Sequence, residues 1–269
     1  MSKIIIAVIV IYFCVLAAMY LLQRRLLFLP EKHILAPAEY GLEGFEESIG
    51  VASDGYDIQL WFKKAAPGMP TIMYFHGNAA NLANRAGTFK SFTNKGFGIL
   101  ALSYRGYGKS TGTPTERGLY RDARAAITYL QFEFNVPMNH IILYGESLGS
   151  GVAVHMAKEY RPAGVVLEAP YTSVANRAAE IYFYIPVHLL IKDKFDSLSK
   201  IVGIKSPVLV IHGEKDSTIP ASHGRAILAA APEPKKGIFF ADKGHNDFDR
   251  DVISAHVLDF AKEHGLIKQ

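Results

Sequence analysis

Gly145-Glu146-Ser147-Leu148-Gly149 sets a serine between two glycines at G-x-S-x-G spacing, which makes Ser147 a candidate nucleophile. A chain with 23 glycines can produce that pattern as a mere structural turn, so its flanks decide the matter. Ile141 to Tyr144 reads as a buried strand and Leu148 to Tyr160 as a helix opening on small residues. A sharp strand-to-helix turn of this kind holds the serine in a strained backbone with its hydroxyl projecting outward. A serine hydroxyl attacks a carbonyl only when a base removes its proton, and the base needs an orienting acid. Asp216 stands just beyond the strand-like Val208 to Ile211, and His245, preceded by Gly244, stands just beyond Ile238 to Phe240. The order Ser147, Asp216, His245 fits nucleophile, acid and base. Glu168, at an earlier strand end, is the alternative acid.

Acyl transfer also requires donors for the oxyanion. Leu148, the residue after the nucleophile, supplies one backbone N–H; the turn His76-Gly77-Asn78-Ala79-Ala80 after the Thr71 to Phe75 strand supplies the other, from Asn78 or, failing that, Ala79. His76 reads as a residue that orients this turn by hydrogen bonding. Gly108-Lys109-Ser110 imitates the end of a phosphate-binding loop, but the glycine that should precede it is Ser103, and no helix start follows. Neither a cofactor nor a metal is expected.

These residues need a frame that brings strand ends together. Phe45 to Val51 and Tyr56 to Lys63 flank Ser53-Asp54-Gly55 as an antiparallel hairpin. Six further short apolar runs then alternate with five helix-length segments, which predicts an α/β fold with a mostly parallel central sheet and helices on both faces. Residues 171–206 break the alternation. Ile181 to Ile191 is too apolar for an ordinary loop, so this insertion is expected to cap the site and line it with Phe183 and Leu189.

Ile4 to Leu22 is 19 residues without a charge, about 28 Å of helix at roughly 1.5 Å per residue, and so long enough to span a bilayer. The division expected is residues 1–29 as anchor and stop region and 30–269 as the catalytic domain. A cleaved signal peptide is the alternative, with a weak cleavage site at Val15-Leu16-Ala17. Arg24, Arg25 and Lys32 after the segment outnumber Lys3 before it, which favours a single-pass protein with its catalytic domain on the cytoplasmic face. A chain lacking everything before Glu31 is then expected to be soluble and still active on short esters. The 29 basic and 25 acidic residues give +4, but Lys3, Arg24 and Arg25 lie in the acid-free first 29 residues, leaving 26 against 25 beyond, so no nucleic-acid partner is indicated. The one cysteine, Cys14, excludes an intramolecular disulfide.

The chain resembles the α/β-hydrolase superfamily. It is most similar to the serine-aminopeptidase-like branch that includes membrane-associated protein depalmitoylases and bacterial relatives. The resemblance rests on Phe75-His76-Gly77-Asn78-Ala79, Tyr104 to Ser110, Tyr144 to Gly149, Asp193 to Leu198, Pro207 to Gly213 with Asp216, and Gly244-His245-Asn246. It implies hydrolysis of an ester, thioester or amide through an acyl-enzyme, on a lipid or an acylated protein. The N-terminal cysteine cluster of the eukaryotic depalmitoylases is replaced here by the apolar segment. Two other readings stand beside acyl ester or thioester hydrolysis. One is an aminopeptidase, for which Glu180 is the candidate amine-binding carboxylate; the other is a non-catalytic binding protein on the same fold.

Overall fold

The computed structural model describes residues 2–268; Met1 and Gln269, the outermost residues of the expected domains, lie outside it. Its first element, α1 (Ser2–Leu27), runs without a break through the apolar segment and the Gln23-Arg24-Arg25 stop. Then come β1 (Leu29–Pro30), the hairpin β2 (Glu46–Val51) and β3 (Asp57–Lys63), β4 (Thr71–Phe75), β5 (Ala79–Ala80), α2 (Ala86–Thr93), β6 (Gly98–Leu102) and α3 (Glu116–Glu133). The nucleophile region follows as β7 (Ile141–Glu146), α4 (Leu148–Tyr160) and β8 (Gly164–Glu168). The insertion forms three short helices, α5 (Val174–Ile181), α6 (Val187–Leu190) and α7 (Leu198–Ile201), and the chain closes with β9 (Val208–Gly213), α8 (Ala221–Ala230), β10 (Lys235–Phe240) and α9 (Arg250–Glu263).

Eight strands form one sheet in the order β10-β9-β8-β7-β4-β6-β3-β2. From β6 to β10 all neighbours are parallel, and β3 pairs antiparallel with both β6 and β2. The parallel strands β4, β6, β8 and β9 are buried at every position, because helices cover both faces. Two apolar clusters result. Phe75, Leu143, Val152, Val154 and Ile227 belong to one, beneath α3, α4 and α8; Tyr74, Tyr144, Phe92, Val257 and Phe260 belong to the other, beneath α2 and α9.

The residues on either side of the expected 29/30 boundary pack against the rest of the chain. Phe28 is buried in the first cluster and packs edge-on to Phe195, and β1 pairs in parallel with β5. The last turn of α1 and the residues just after it are thus part of the globular unit, held by a two-residue strand too short to leave a periodic signal. Arg24 fixes the same turn from the side, donating to the buried Asp193 (2.7 Å), which also accepts the N–H of Glu116 at the start of α3.

Candidate active site

β7 delivers Ser147 onto a turn with φ +50° and ψ −116°, a conformation that an L-residue adopts only under constraint from its surroundings. The constraint is close packing. A Cβ added to Gly149 would stand 2.0 Å from the Phe75 carbonyl oxygen, and one on Gly145 would stand 2.5 Å from that of Gly149. The glycines of the motif therefore let α4 press onto the ends of β4 and β7, while Ser147 N–H donates to the Glu168 carbonyl (2.9 Å).

The structure brings the three expected side chains together. His245 Nε2 lies 3.0 Å from Ser147 Oγ, and His245 Nδ1 lies 2.6 Å from Asp216 Oδ2. Asp216 Oδ1 accepts the backbone N–H groups of Thr218 and Ile219, both at 2.8 Å. Burial opposes its charge, but hydrogen bonds from the His212 and His245 rings and from the Ile219 N–H outweigh burial and hold its carboxyl well below the usual carboxylate range. Asp216 is thus an ionised acceptor that fixes the His245 ring with Nε2 toward the serine. Glu168 is engaged elsewhere, accepting from Arg250 (2.8 Å) and from the Tyr144 hydroxyl, and it is not the orienting acid.

Leu148 and Asn78 border the same cleft as Ser147. Leu148 opens α4, so its N–H has no carbonyl one turn earlier in the helix to bond. The Asn78 peptide is held from three sides: its carbonyl accepts from Tyr107 Oη (2.6 Å) and Leu29 N–H (2.9 Å), and its side-chain Nδ2 donates to the Leu27 carbonyl (2.9 Å). His76, fully buried, bonds Gly77 O through Nδ1 (2.7 Å), and burial and the nearby Arg85 charge push it down to about 3. It is neutral at ordinary pH and braces the turn.

Sequence reasoning missed a buried network joining the two halves of the site. Glu146, beside the nucleophile, accepts from Arg85 Nη2 (2.9 Å) and the Tyr74 hydroxyl (2.5 Å), and Arg85 Nη1 donates to the Ala79 (2.8 Å) and Asn81 (3.2 Å) carbonyls. Burial pushes Glu146 up, but the Arg85 guanidinium and the Tyr74 hydroxyl pull it down further, to about 2. Only the x of G-x-S-x-G pointed to Glu146, and nothing in the sequence marked Arg85.

Above Ser147 lies an apolar cleft of about 280 Å³, just below the roughly 300–1,000 Å³ range of ligand sites. Part of its lining comes from the cap: Val174, Ile181, Tyr182, Ile185 and Leu190. Phe183 and Leu189, expected to line it, do not; they are 84% and 85% exposed. After α5 the chain turns so that Tyr182 and Ile185 face inward while Phe183 faces out. On α6 a step of one residue rotates the side chain by about 100°, so Leu190 faces the cleft and Leu189 does not. Glu180 bonds Arg177 (2.9 Å) and His223 (3.1 Å) and is absent from the lining. The wall opposite the cap was not expected: Met19, Tyr20, Gln23, Leu26 and Leu27 of α1 form it.

The pattern of the serine aminopeptidase S33 family matches residues 68–200. An uncharacterized protein of Mycobacterium tuberculosis is 35% identical over 227 residues, covering 84% of this chain and 81% of that one. Alpha/beta hydrolase domain-containing protein 17B of Homo sapiens is 33% identical over 199 residues, 73% of this chain and 68% of that protein. The chain belongs to the α/β-hydrolase superfamily. An esterase of Pyrococcus furiosus shares the fold at a TM-score of 0.69 with 17% identity, covering 88% of this chain and 98% of that one. The protein is thus a hydrolase of the α/β type, with an N-terminal helix, Lys3–Leu27, long and apolar enough to cross a membrane.

Proposed function

We propose that this α/β-hydrolase is a membrane-anchored serine hydrolase that cleaves acyl esters or thioesters through an acyl-enzyme on Ser147. The observation that carries the proposal is the unbroken line Ser147 Oγ, His245 Nε2, His245 Nδ1, Asp216 Oδ2 at the floor of an apolar cleft. In this reading His245 Nε2 takes the Ser147 proton as Oγ attacks the acyl carbonyl. The Asn78 and Leu148 N–H groups receive the oxyanion, and His245 returns the proton to the departing oxygen or sulfur. Water, deprotonated by the same ring, then releases the acyl group as a carboxylic acid. No cofactor takes part in this chemistry.

The apolar lining suits an acyl chain. An aminopeptidase would need a carboxylate free to bind the substrate amine, and Glu180 is already paired with Arg177 and His223. On this proposal α1 is an uncleaved anchor, and the excess of Arg24, Arg25 and Lys32 over Lys3 puts the catalytic domain on the cytoplasmic face. Partners are then the bilayer and an acylated lipid or protein. The test is a chain-length series of 4-nitrophenyl esters and acyl thioesters with Ser147→Ala as control. Hydrolysis that favours chains longer than acetyl and falls by roughly 10⁴ to 10⁶ in the variant supports the proposal; undiminished hydrolysis by the variant refutes it. Protease accessibility of the catalytic domain in sealed inverted vesicles tests its orientation.

A further inference from the structure

The faces of α1 and of the cap that lie outside the protein belong together. Val8, Ile11, Phe13 and Leu21 of α1 are exposed, and so are Phe183, Tyr184 and Leu189 at the tip of the cap. The tip does not stand off in water beside the helix. Tyr12 Oη donates to the Tyr184 carbonyl (2.9 Å), Gln23 Nε2 donates to the Leu190 carbonyl (3.2 Å), and Gln23 Oε1 accepts the Lys192 N–H (2.7 Å). The cap thus lies along α1 from Gln23 up to Tyr12, positions 11 steps apart and so separated by about 16 Å of helix at roughly 1.5 Å per residue. Tyr12 falls in the middle of the uncharged run Ile4 to Leu22, at a depth where water is absent if α1 spans a bilayer. There a loop is tolerated only if its backbone groups find protein partners; Tyr12 supplies one to the Tyr184 carbonyl, and Gln23, just past the run, partners two more cap backbone groups. The cleft lies between these two elements, walled by Met19 and Leu26 on one side and Ile181 and Ile185 on the other.

We propose that the tip of the cap enters the bilayer beside α1 and that the cleft between them takes its acyl chain laterally from the lipid phase. The substrate is then a long-chain acyl ester or thioester whose tail resides in the membrane, with its carbonyl lifted to Ser147 at the end of the cleft where Leu27 meets Asn78. Phe183 and Leu189 act as lipid-facing side chains of the cap tip. This inference rests on the serine-hydrolase reading above.

The experiment uses the full chain in phosphatidylcholine vesicles, where α1 retains every variant, and compares vesicle-borne 4-nitrophenyl palmitate with water-soluble 4-nitrophenyl acetate. Phe183→Glu/Leu189→Glu is expected to lower kcat/KM for the palmitate about tenfold or more, the fold-change corresponding to lost transfer of one large apolar side chain. Acetate hydrolysis should stay at the wild-type rate. Loss on both esters alike, or on neither, overturns the proposal. Phe183→Trp provides a readout independent of turnover: its fluorescence should be quenched by dibrominated phosphatidylcholine, against the background of the buried Trp61. Fluorescence of the Phe183→Trp variant that dibrominated lipid leaves unquenched also overturns the proposal. Failure of the serine-hydrolase reading looks different, since Ser147→Ala would then hydrolyse both esters. Supplying 1-palmitoylglycerol or an S-palmitoylated peptide in the same vesicles tells which membrane-borne acyl compound is cleaved; for the preferred one the double variant must again be slower.

Discussion

Replacing Arg85 by methionine removes the positive member of the Arg85–Glu146 pair while keeping an unbranched apolar stem in its place. The side chains of Arg85 and Glu146 are only 11% and 14% exposed, so the carboxylate left behind has the Tyr74 hydroxyl and little water. Breaking a buried pair from one side costs about 3–5 kcal/mol, and for a chain of this size that is roughly 6–20 °C in Tm at about 2–4 °C per kcal/mol. Arg85→Met/Glu146→Gln should recover much of the loss, because removing both charges leaves no uncompensated ion. The pH dependence should change sign. In the native protein Glu146 is held at about 2, below its unfolded value of 4.5, so its stabilising contribution is present above pH 4.5 and is lost as pH falls toward 2. Without Arg85, burial, the largest single contribution, is opposed only by the Tyr74 hydrogen bond and the Arg250 charge, so the folded value is expected to rise above the unfolded one; the variant then gains stability, relative to wild type, as pH falls from about 7 toward about 5. Differential scanning fluorimetry of wild type, both single variants and the double variant at about pH 7 and about pH 5 measures all of this. A double variant whose loss equals the sum of the two single losses, or an Arg85→Met loss below about 1 kcal/mol, would refute the role given to this pair.

Three further outcomes follow from the geometry. His76 is held at about 3 against 6.5 when unfolded, so the stability it permits is complete above pH 6.5 and declines as pH falls toward 3, by up to about 1.4 kcal/mol per pH unit. His76→Gln should flatten urea-midpoint profiles in that window, and an unchanged slope would place the proton uptake elsewhere. Gly149→Ala, which in an open helix would stabilise by about 1 kcal/mol, should here destabilise by about 1–3 kcal/mol because its Cβ meets the Phe75 carbonyl; a raised Tm would contradict that packing. Deleting residues 1–30 removes buried Phe28, strand β1 and the Leu27 and Leu29 contacts to Asn78, so hydrolysis of 4-nitrophenyl acetate should fall rather than persist. Full activity in the truncated chain would show that these contacts do not hold the oxyanion turn.

Most of the sheet was legible because its strands are buried on both faces and end at Gly, Pro or polar residues. β4 and the helices α4 and α8 fall where the apolar pattern puts them, and β10 begins three residues before Ile238 because its Lys235-Lys236-Gly237 start carries little apolar signal. The G-x-S-x-G motif, chain order and strand ends singled out Ser147, Asp216 and His245, and the structure sets the three side chains within hydrogen-bond distance of one another. Arg85 was not, because a lone arginine in a polar loop has no periodic context and its carboxylate partner lies 61 residues away. The inward and outward sides of the cap were not legible either. Ile181 to Ile191 is apolar nearly throughout, which fixes the composition of the insertion but not its rotation, and so Phe183 and Leu189 read the same as Tyr182 and Leu190. The role of α1 as a cleft wall was hidden for a related reason: a helix apolar on every side gives no clue to which stripe meets protein.

Trapping the acyl-enzyme tests the central claim most directly. The full chain mixed with 4-nitrophenyl decanoate, quenched in acid within a turnover and digested, should yield one peptide carrying a decanoyl group, on Ser147, and no such peptide from Ser147→Ala. Acylation of a different residue, or rapid ester turnover with no acylated peptide and full activity in Ser147→Ala, would contradict the assignment of Ser147 as the nucleophile.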